Sequence, residues 1–219
     1  MHKNQAVSRG MFRFLLANVN TGSRSCWDVL MATKSGHWSQ GLLAAMNDVT
    51  AVVDSDDKLV VIKDKYPKAK YHFLVMPRRK IPSLKHVTKT DLDLLRHMQK
   101  KGEEIAERAN KELQFRFGYH AVPSMSHLHM HVISQDFNSP FLKTKKHWNS
   151  FTTQYFVDSH SVIKNVEETG QWSPDVQDAD KLLKQNLRCH VCKKEFDTIP
   201  SLKVHIVLHD VTKPSHTKS

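Results

Sequence analysis

Two groups of residues stand at spacings that chemistry can use. The first is Cys189, Cys192, His205 and His209, in the pattern Cys-x2-Cys-x12-His-x3-His. A Cys-x2-Cys turn brings two thiolates to one point. Two His four residues apart share a helical face, so the four side chains can close a tetrahedron around zinc at about 2.0–2.3 Å. Phe196 and Leu202 supply the small apolar core such a unit needs. A module this short depends on its metal to fold, which makes the expected zinc structural. One finger reads about three base pairs at most, so Arg188, Lys193, Lys194 and Lys203 suit sequence-independent phosphate contact better than genomic readout.

The second group is His127-Leu128-His129-Met130-His131-Val132-Ile133, in which His alternates with apolar residues. On a strand, a period of two puts the three His on one face and turns Leu128, Met130 and Val132 to a core. Two chemistries stay open. Neighbouring imidazoles can share a metal ion. Alternatively, one imidazole is a nucleophile toward phosphorus, since neutral imidazole is nucleophilic near pH 7 and its phosphoramidate is labile enough for water to remove. Charge would then develop on phosphoryl oxygens and need donors. His131 and the backbone of Ser124, Met125 and Ser126 are the nearest, with His127 better placed to orient. That second chemistry requires no metal.

The elements that must position these residues follow from hydrophobic period. His37 to Met46 carries Trp38, Leu42, Leu43 and Met46 at helical spacing. Lys58–Lys63 and Tyr71–Met76 read as strands joined by a turn around Tyr66-Pro67, hence antiparallel neighbours. Thr90 with Asp93 has the form of a capping box for a helix running to about Asn110, with Gly102 as its weak point. Phe115–His120 reads as a strand, Ala121–Ser126 as a loop and His127–Ser134 as another strand. Asp178–Gln185 reads as a short helix. The expected class is α+β, an antiparallel sheet with helices, plus a small two-Cys/two-His zinc finger. The expected domains are residues 37–165 for the sheet module, 166–188 for a linker, 189–209 for the finger and 210–219 for a tail. Residues 1–36 read as a disordered extension, although an Arg-bearing, acid-poor start also fits a mitochondrial address.

Composition narrows the partners. Of 219 residues, 33 are Lys or Arg and 22 are Asp or Glu, a net charge of +11, so a polyanion is the leading partner class. No apolar run is long enough to span a bilayer, and no membrane partner is expected. Three Cys suggest a reducing compartment. The chain holds 15 His, so their placement matters. Between Lys63 and Lys89 stand nine Lys or Arg and one acid, Asp64, and a second basic cluster contains Lys143, Lys145 and Lys146.

The triplet resembles the His-φ-His-φ-His-φ-φ motif of the histidine triad superfamily over all seven positions, φ being apolar. That resemblance implies nucleotidyl hydrolases and transferases in which the middle His, here His129, becomes covalently nucleotidylated. Transferase branches carry Gln at the third position, so His131 points to hydrolysis. By the same resemblance Asp64 takes ribose hydroxyls and His72 is the family's fourth His, while Ser124 and Met125 border the nucleotide. The finger, the segment Gly118–Ser126 and the Lys-rich stretch after the triplet resemble a zinc-finger branch of that superfamily. Its members remove AMP from 5′-adenylated DNA ends left by abortive ligation, at nicks and breaks, with RNA–DNA junctions as a further option. The resemblance implies that Lys65, Tyr66, Pro67, Lys68, His120, His131 and Lys146 meet the DNA end, with His120 assisting the leaving group. Trp38 would belong to a wedge on the terminal base pair, where stacking needs no sequence. It also implies nuclear work, zinc only in the finger, and no metal at the catalytic centre. Larger members carry a forkhead-associated domain ahead of the catalytic part. The 36 residues here leave no room for it, so recruitment by phosphorylated scaffolds is not expected. A hydrolase of small adenosine nucleotides and a non-catalytic nucleic-acid-binding zinc adaptor are the competing readings.

Overall fold

The computed structural model describes residues 41–173 and 178–212. Trp38 and the first residues of the helix expected from His37 lie outside them, and the described part is α1 (Gly41–Ala45). The strands are β1 (Val52–Ser55), β2 (Leu59–Lys63), β3 (His72–Pro77), β4 (Phe115–His120), β5 (Met130–Ser134) and β6 (Phe156–Asp158). They form one antiparallel sheet in the order β1-β2-β3-β5-β4-β6. The β-branched run of β2 is buried on both faces from Leu59 to Ile62. Edge strand β1 is only four residues long, alternates half-buried with exposed positions, and carries Asp54.

Helix α2 (Leu92–Ala109) turns Leu92, Leu95, Met98, Gly102, Ile105 and Ala106 to the sheet at helical spacing. A Cβ at Gly102 would lie 2.7 Å from Met130 Cε and 3.0 Å from Val132 Cγ2, so the glycine lets the helix approach β5. The capping box is not at Thr90 and Asp93. It is formed by Thr88 and Asp91, whose Oδ2 accepts from the Thr88 N–H at 3.0 Å, because a 3-10 turn (Lys89–Asp91) precedes the helix. Leu59, Val61, Val75, Met98, Leu128, Met130 and Val132 form the main core between this face and the helices. The contribution is of order 1.5–3 kcal/mol per fully buried large side chain.

The opposite face bears two further clusters. Leu42 of α1 packs on Val60, Ile62, Leu74 and Met76, with Met125 against them. Helix α3 (Lys145–Thr152) brings Trp148 and Phe151 onto Ile133 and Phe156. Helix α4 (Ser159–Thr169) runs across the boundary expected at residue 165. Its N-cap is Asp158, and Gly170 (φ 87) ends it in the left-handed region. Gln171 then bridges to Thr88, and Trp172 packs on the main core, so this stretch is bound rather than a free connector. Helix α5 (Ala179–Lys184) lies where a short helix was expected.

The finger comprises β7 (Leu187–Arg188), β8 (Glu195–Phe196) and α6 (Ile199–Ile206). Leu187, Cys189, Ile199, Leu202 and Ile206 share one apolar cluster with Phe137, Leu142, Trp148 and Phe151. Trp148 Nε1 donates to the Arg188 carbonyl at 2.9 Å, and Lys203 Nζ donates to the Ser139 carbonyl at 2.6 Å. The finger is therefore built onto the sheet module rather than tethered to it.

Candidate active site and metal centre

The alternating triplet does not lie wholly on a strand. His127 has φ 81 and β5 begins only at Met130, so the expectation of three His on one strand face is corrected. The N–H groups of His127 and Leu128 instead donate to the carbonyls of Pro82 and Ile81 at 3.0 and 2.7 Å. This pins the turn against the chain leaving β3. His127 Nε2 donates to the Pro77 carbonyl at 2.7 Å, which ties its ring to the end of β3. Its contribution to orientation comes through its backbone, because the His127 carbonyl accepts from His129 Nδ1 at 2.8 Å. A carbonyl can only accept, so Nδ1 of His129 carries the proton and Nε2 keeps a lone pair.

The other imidazoles can be assigned in the same way. The Lys68 backbone N–H donates to His72 Nδ1 at 3.2 Å. The His72 proton therefore sits on Nε2, 2.9 Å from His131 Nδ1. His131 must accept there, so its own proton sits on Nε2. That Nε2–H is buried and has no partner among the described residues, and the same holds for His120 Nε2. The rings of His129 and His131 are 5.0 Å apart, and those of His120 and His131 are 4.5 Å apart. The result is a lone pair on His129 beside a donor with nothing to bind.

Burial dominates the electrostatics. It pushes His72 down to about 4 against the opposing pull of Asp64, and His120 down to about 3. His131 lies well below its ordinary value and His129 is also lowered, for the same reason. All four are neutral at pH 7, since each proton added would be desolvated and repelled by its neighbours.

Asp64, at the end of β2, accepts from the Tyr66 N–H at 2.7 Å, and its other oxygen lies 3.6 Å from His72 Nδ1. Lys68 Nζ donates to the Tyr66 carbonyl, and burial lowers its pKa. Lys65 is exposed over the Tyr66 ring, and Pro67 lies between them and Lys68. Lys146 is exposed on the first turn of α3, where it and Lys68 both act on His147. Ser124 and Met125 line an open cavity of about 340 Å³ together with Pro82, Ser83, Lys85 and Ser126. Ser83, Leu84 and Pro123 also line a narrow recess bordered by His120, His127 and His129.

The basic run from Lys63 to Lys89 is not one patch. Lys63 to Lys70 adjoin Asp64, while Arg78, Arg79 and Lys80 follow the far end of β3, about 20 Å away at 3.3 Å per residue. Arg78 Nε donates to the Asp56 carbonyl at 2.8 Å and Arg79 is paired with Asp91, so both serve the fold. Phe151 had no signal beyond being apolar, yet its ring contacts His72, His120 and His131.

The ligand atoms of Cys189, Cys192, His205 and His209 all lie within 4.8 Å of one another. Cys192 Sγ is 3.2 Å from His205 Nε2, which is 3.0 Å from His209 Nε2. Such separations suit four ligands around one tetrahedral zinc, and two thiolates with two imidazoles are a zinc donor set. Asp64, His72 and His131 form the other cluster of this kind among the described residues.

Residues 37–147 match the family model described as the scavenger mRNA decapping enzyme C-terminal binding domain, and residues 152–209 match a C2HE / C2H2 / C2HC zinc-binding finger. Aprataxin of Gallus gallus is 56% identical over 176 residues, covering 80% of this chain and 55% of that protein. An aprataxin-like protein of Saccharomyces cerevisiae is 34% identical over 196 residues, covering 74% of this chain and 88% of that one. The crystal structure of the aprataxin ortholog Hnt3 in complex with DNA superposes with a TM-score of 0.56 at 25% identity, covering 80% of this chain and 94% of that one. The chain spans about half the length of the vertebrate relatives it matches, 55% and 54%.

Proposed function

The chain belongs to the aprataxin family, and from that premise we propose that it is a DNA 5′-adenylate hydrolase working through a covalent histidine–AMP intermediate. The observation that carries the reading is the ordered tautomer chain: Lys68 N–H to His72, His72 to His131, and His129 Nδ1–H to the His127 carbonyl. It leaves one lone pair and one unpartnered donor side by side among buried rings. A phosphorus nucleophile and its oxyanion donor need that arrangement.

In the first step His129 Nε2 attacks the AMP phosphorus in line. The bond from that phosphorus to the bridging oxygen breaks, and the oxygen leaves with the 5′-phosphorylated strand. The adduct is cationic on the ring, and the His127 carbonyl at Nδ1 supports that charge. His131 Nε2–H donates to a non-bridging oxygen. His120, with its own unpartnered Nε2, assists the leaving group. In the second step water attacks the same phosphorus, the P–N bond breaks, and AMP and neutral His129 are restored. Asp64 receives the ribose hydroxyls, with Ser124 and Met125 bordering the nucleotide. Lys65, Tyr66, Pro67, Lys68 and Lys146 meet the DNA end, where phosphate neutralisation supplies affinity. Zinc in the finger is structural and the catalytic centre uses no metal.

The test gives a 5′-adenylated nicked duplex to the zinc-loaded chain with no other divalent cation added, with AMP release as the readout. Release is expected from the wild type and none from His129→Asn. Full activity in the variant removes His129 as nucleophile, and release of AMP only from small adenylates points to a nucleotide hydrolase instead.

A further inference from the structure

Phe151 sits in the last turn of α3 and is 3% exposed. Its ring stands edge-on to His72 and to His131, at centroid distances of 5.3 and 5.2 Å and an interplanar angle of 89° in both cases. It lies 4.8 Å from His120. One hydrocarbon ring thus touches three imidazoles of the site, two of which carry the unpartnered Nε2 atoms. Hydrogen bonds alone leave those rings underdetermined. His131 has a partner only at Nδ1, so rotation about that bond is limited by packing. His120 has no hydrogen-bond partner at Nε2 to hold its ring plane.

Phe151 is itself held from two sides. Its carbonyl accepts from Arg116 Nη1 at 2.9 Å, and the Arg116 guanidinium lies 4.7 Å from the Phe156 ring centroid. Behind it, Asn149 Nδ2 on the same helix donates to the carbonyls of Leu183 and Gln185 at 3.1 and 2.8 Å, and Trp148 is fully buried against the finger. The helix register that aims Phe151 is therefore set by α5 and the finger.

We propose that Phe151 is a positioning residue: its ring sets the planes of His120 and His131 and, lying edge-on to His72 as well, keeps water from all three, so that the His131 Nε2–H faces the phosphate at His129. This rests on the proposed nucleotidyl transfer at His129. The charged and titratable groups around the cluster are Asp64 and Lys68 from the loop after β2, His72 from β3, Arg116 and His120 from β4, His129 and His131 at β5, and Tyr155 ahead of β6, whose ring lies 5.4 Å from His120. Phe151 adds no charge to this set. Its removal admits water, which raises imidazole pKa values toward about 6.5.

The experiment uses the full chain with its metal, as Phe151→Leu and, should that variant fold poorly, Phe151→Met. A small adenylate is the substrate, so that DNA binding does not enter. The expected result is a fall in kcat of about 10- to 100-fold with KM within about twofold, the scale of a misplaced catalytic group. The acid limb of the pH profile should move to higher pH. NMR titration of the His72 and His120 rings should show both pKa values raised, a readout independent of turnover. A variant that only melts earlier, with kcat and both imidazole titrations unchanged, overturns the proposal. If the wild type releases no AMP while the titrations move as expected, the nucleotidyl-transfer reading fails and the positioning of the rings stands.

Discussion

Truncating Leu202 tests whether the finger and the sheet module are one folding unit. Leu202 is fully buried on α6 and belongs to the same apolar cluster as Phe137, Leu142, Trp148 and Phe151. It ligates no metal, so Leu202→Ala removes packing and leaves the donor set intact. A buried Leu→Ala change costs about 2.7–5 kcal/mol, being the lost transfer energy plus a cavity that relaxes only in part. Against a total stability of about 5–15 kcal/mol this is a large fraction. For a chain of this size the urea slope lies near the upper end of about 1–3 kcal/mol/M, so the midpoint should fall by about 1–2 M. The assay is urea unfolding of the zinc-loaded chain, followed in parallel by far-UV circular dichroism and by hydrogen exchange of β3 and β5 amides. One shared transition, displaced by the same amount in both probes, is expected. Turnover of a small adenylate should also fall near the new midpoint, because α3 carries Phe151 to the imidazoles. The reasoning is refuted if the sheet amides keep the wild-type midpoint while only the finger loosens.

Acid should destabilise the fold through its neutral histidines. Folded-state values of about 4 for His72 and about 3 for His120 lie below the unfolded value of about 6.5, so the unfolded chain binds more protons below that pH. Stability is therefore full above pH 6.5 and lost between there and about pH 3, at about 1.4 kcal/mol per pH unit for each such group, which urea midpoints at stepped pH will read. Gly118→Ala should destabilise by about 2–4 kcal/mol, because the new Cβ meets the Val157 carbonyl at 2.3 Å and backbone cannot yield. Gly102→Ala should cost less, since Met130 Cε at 2.7 Å ends a flexible side chain and Ala restores about 1 kcal/mol of helix propensity; thermal melts of the pair will rank them. Lys65→Ala should weaken duplex binding equally across sequences and reduce the slope of log K against log salt by about 1, in fluorescence anisotropy titrations.

Several parts of the site were legible because they depend on spacing alone. The metal ligands form a local pattern closed by one turn and one helix, and the structure brings all four together. The apolar members of the triplet, Leu128, Met130 and Val132, had to face a core, and they do. Strands β2, β3 and β4 and helix α2 follow hydrophobic period and were found within a residue or two of expectation. Other features depend on partners distant in sequence. His127 leaves the strand because the carbonyls of Ile81 and Pro82 capture the N–H groups at 127 and 128, some 45 residues away. The Thr88–Asp91 cap depends on a 3-10 turn that propensity does not announce.

The residue types at 127–133 and 189–209 by themselves determined that this chain would build an imidazole row and a zinc-type finger, because valence and period act over a few residues. The tertiary structure alone decided which nitrogen of His72, His129 and His131 keeps its lone pair. It also decided that Lys68 and His72 set the proton on His131, and that Phe151 and the finger stand behind the row. Those outcomes rest on contacts between β3, β4, β5 and α3. Such contacts are fixed only when the sheet closes and burial takes water away from every group that has no partner.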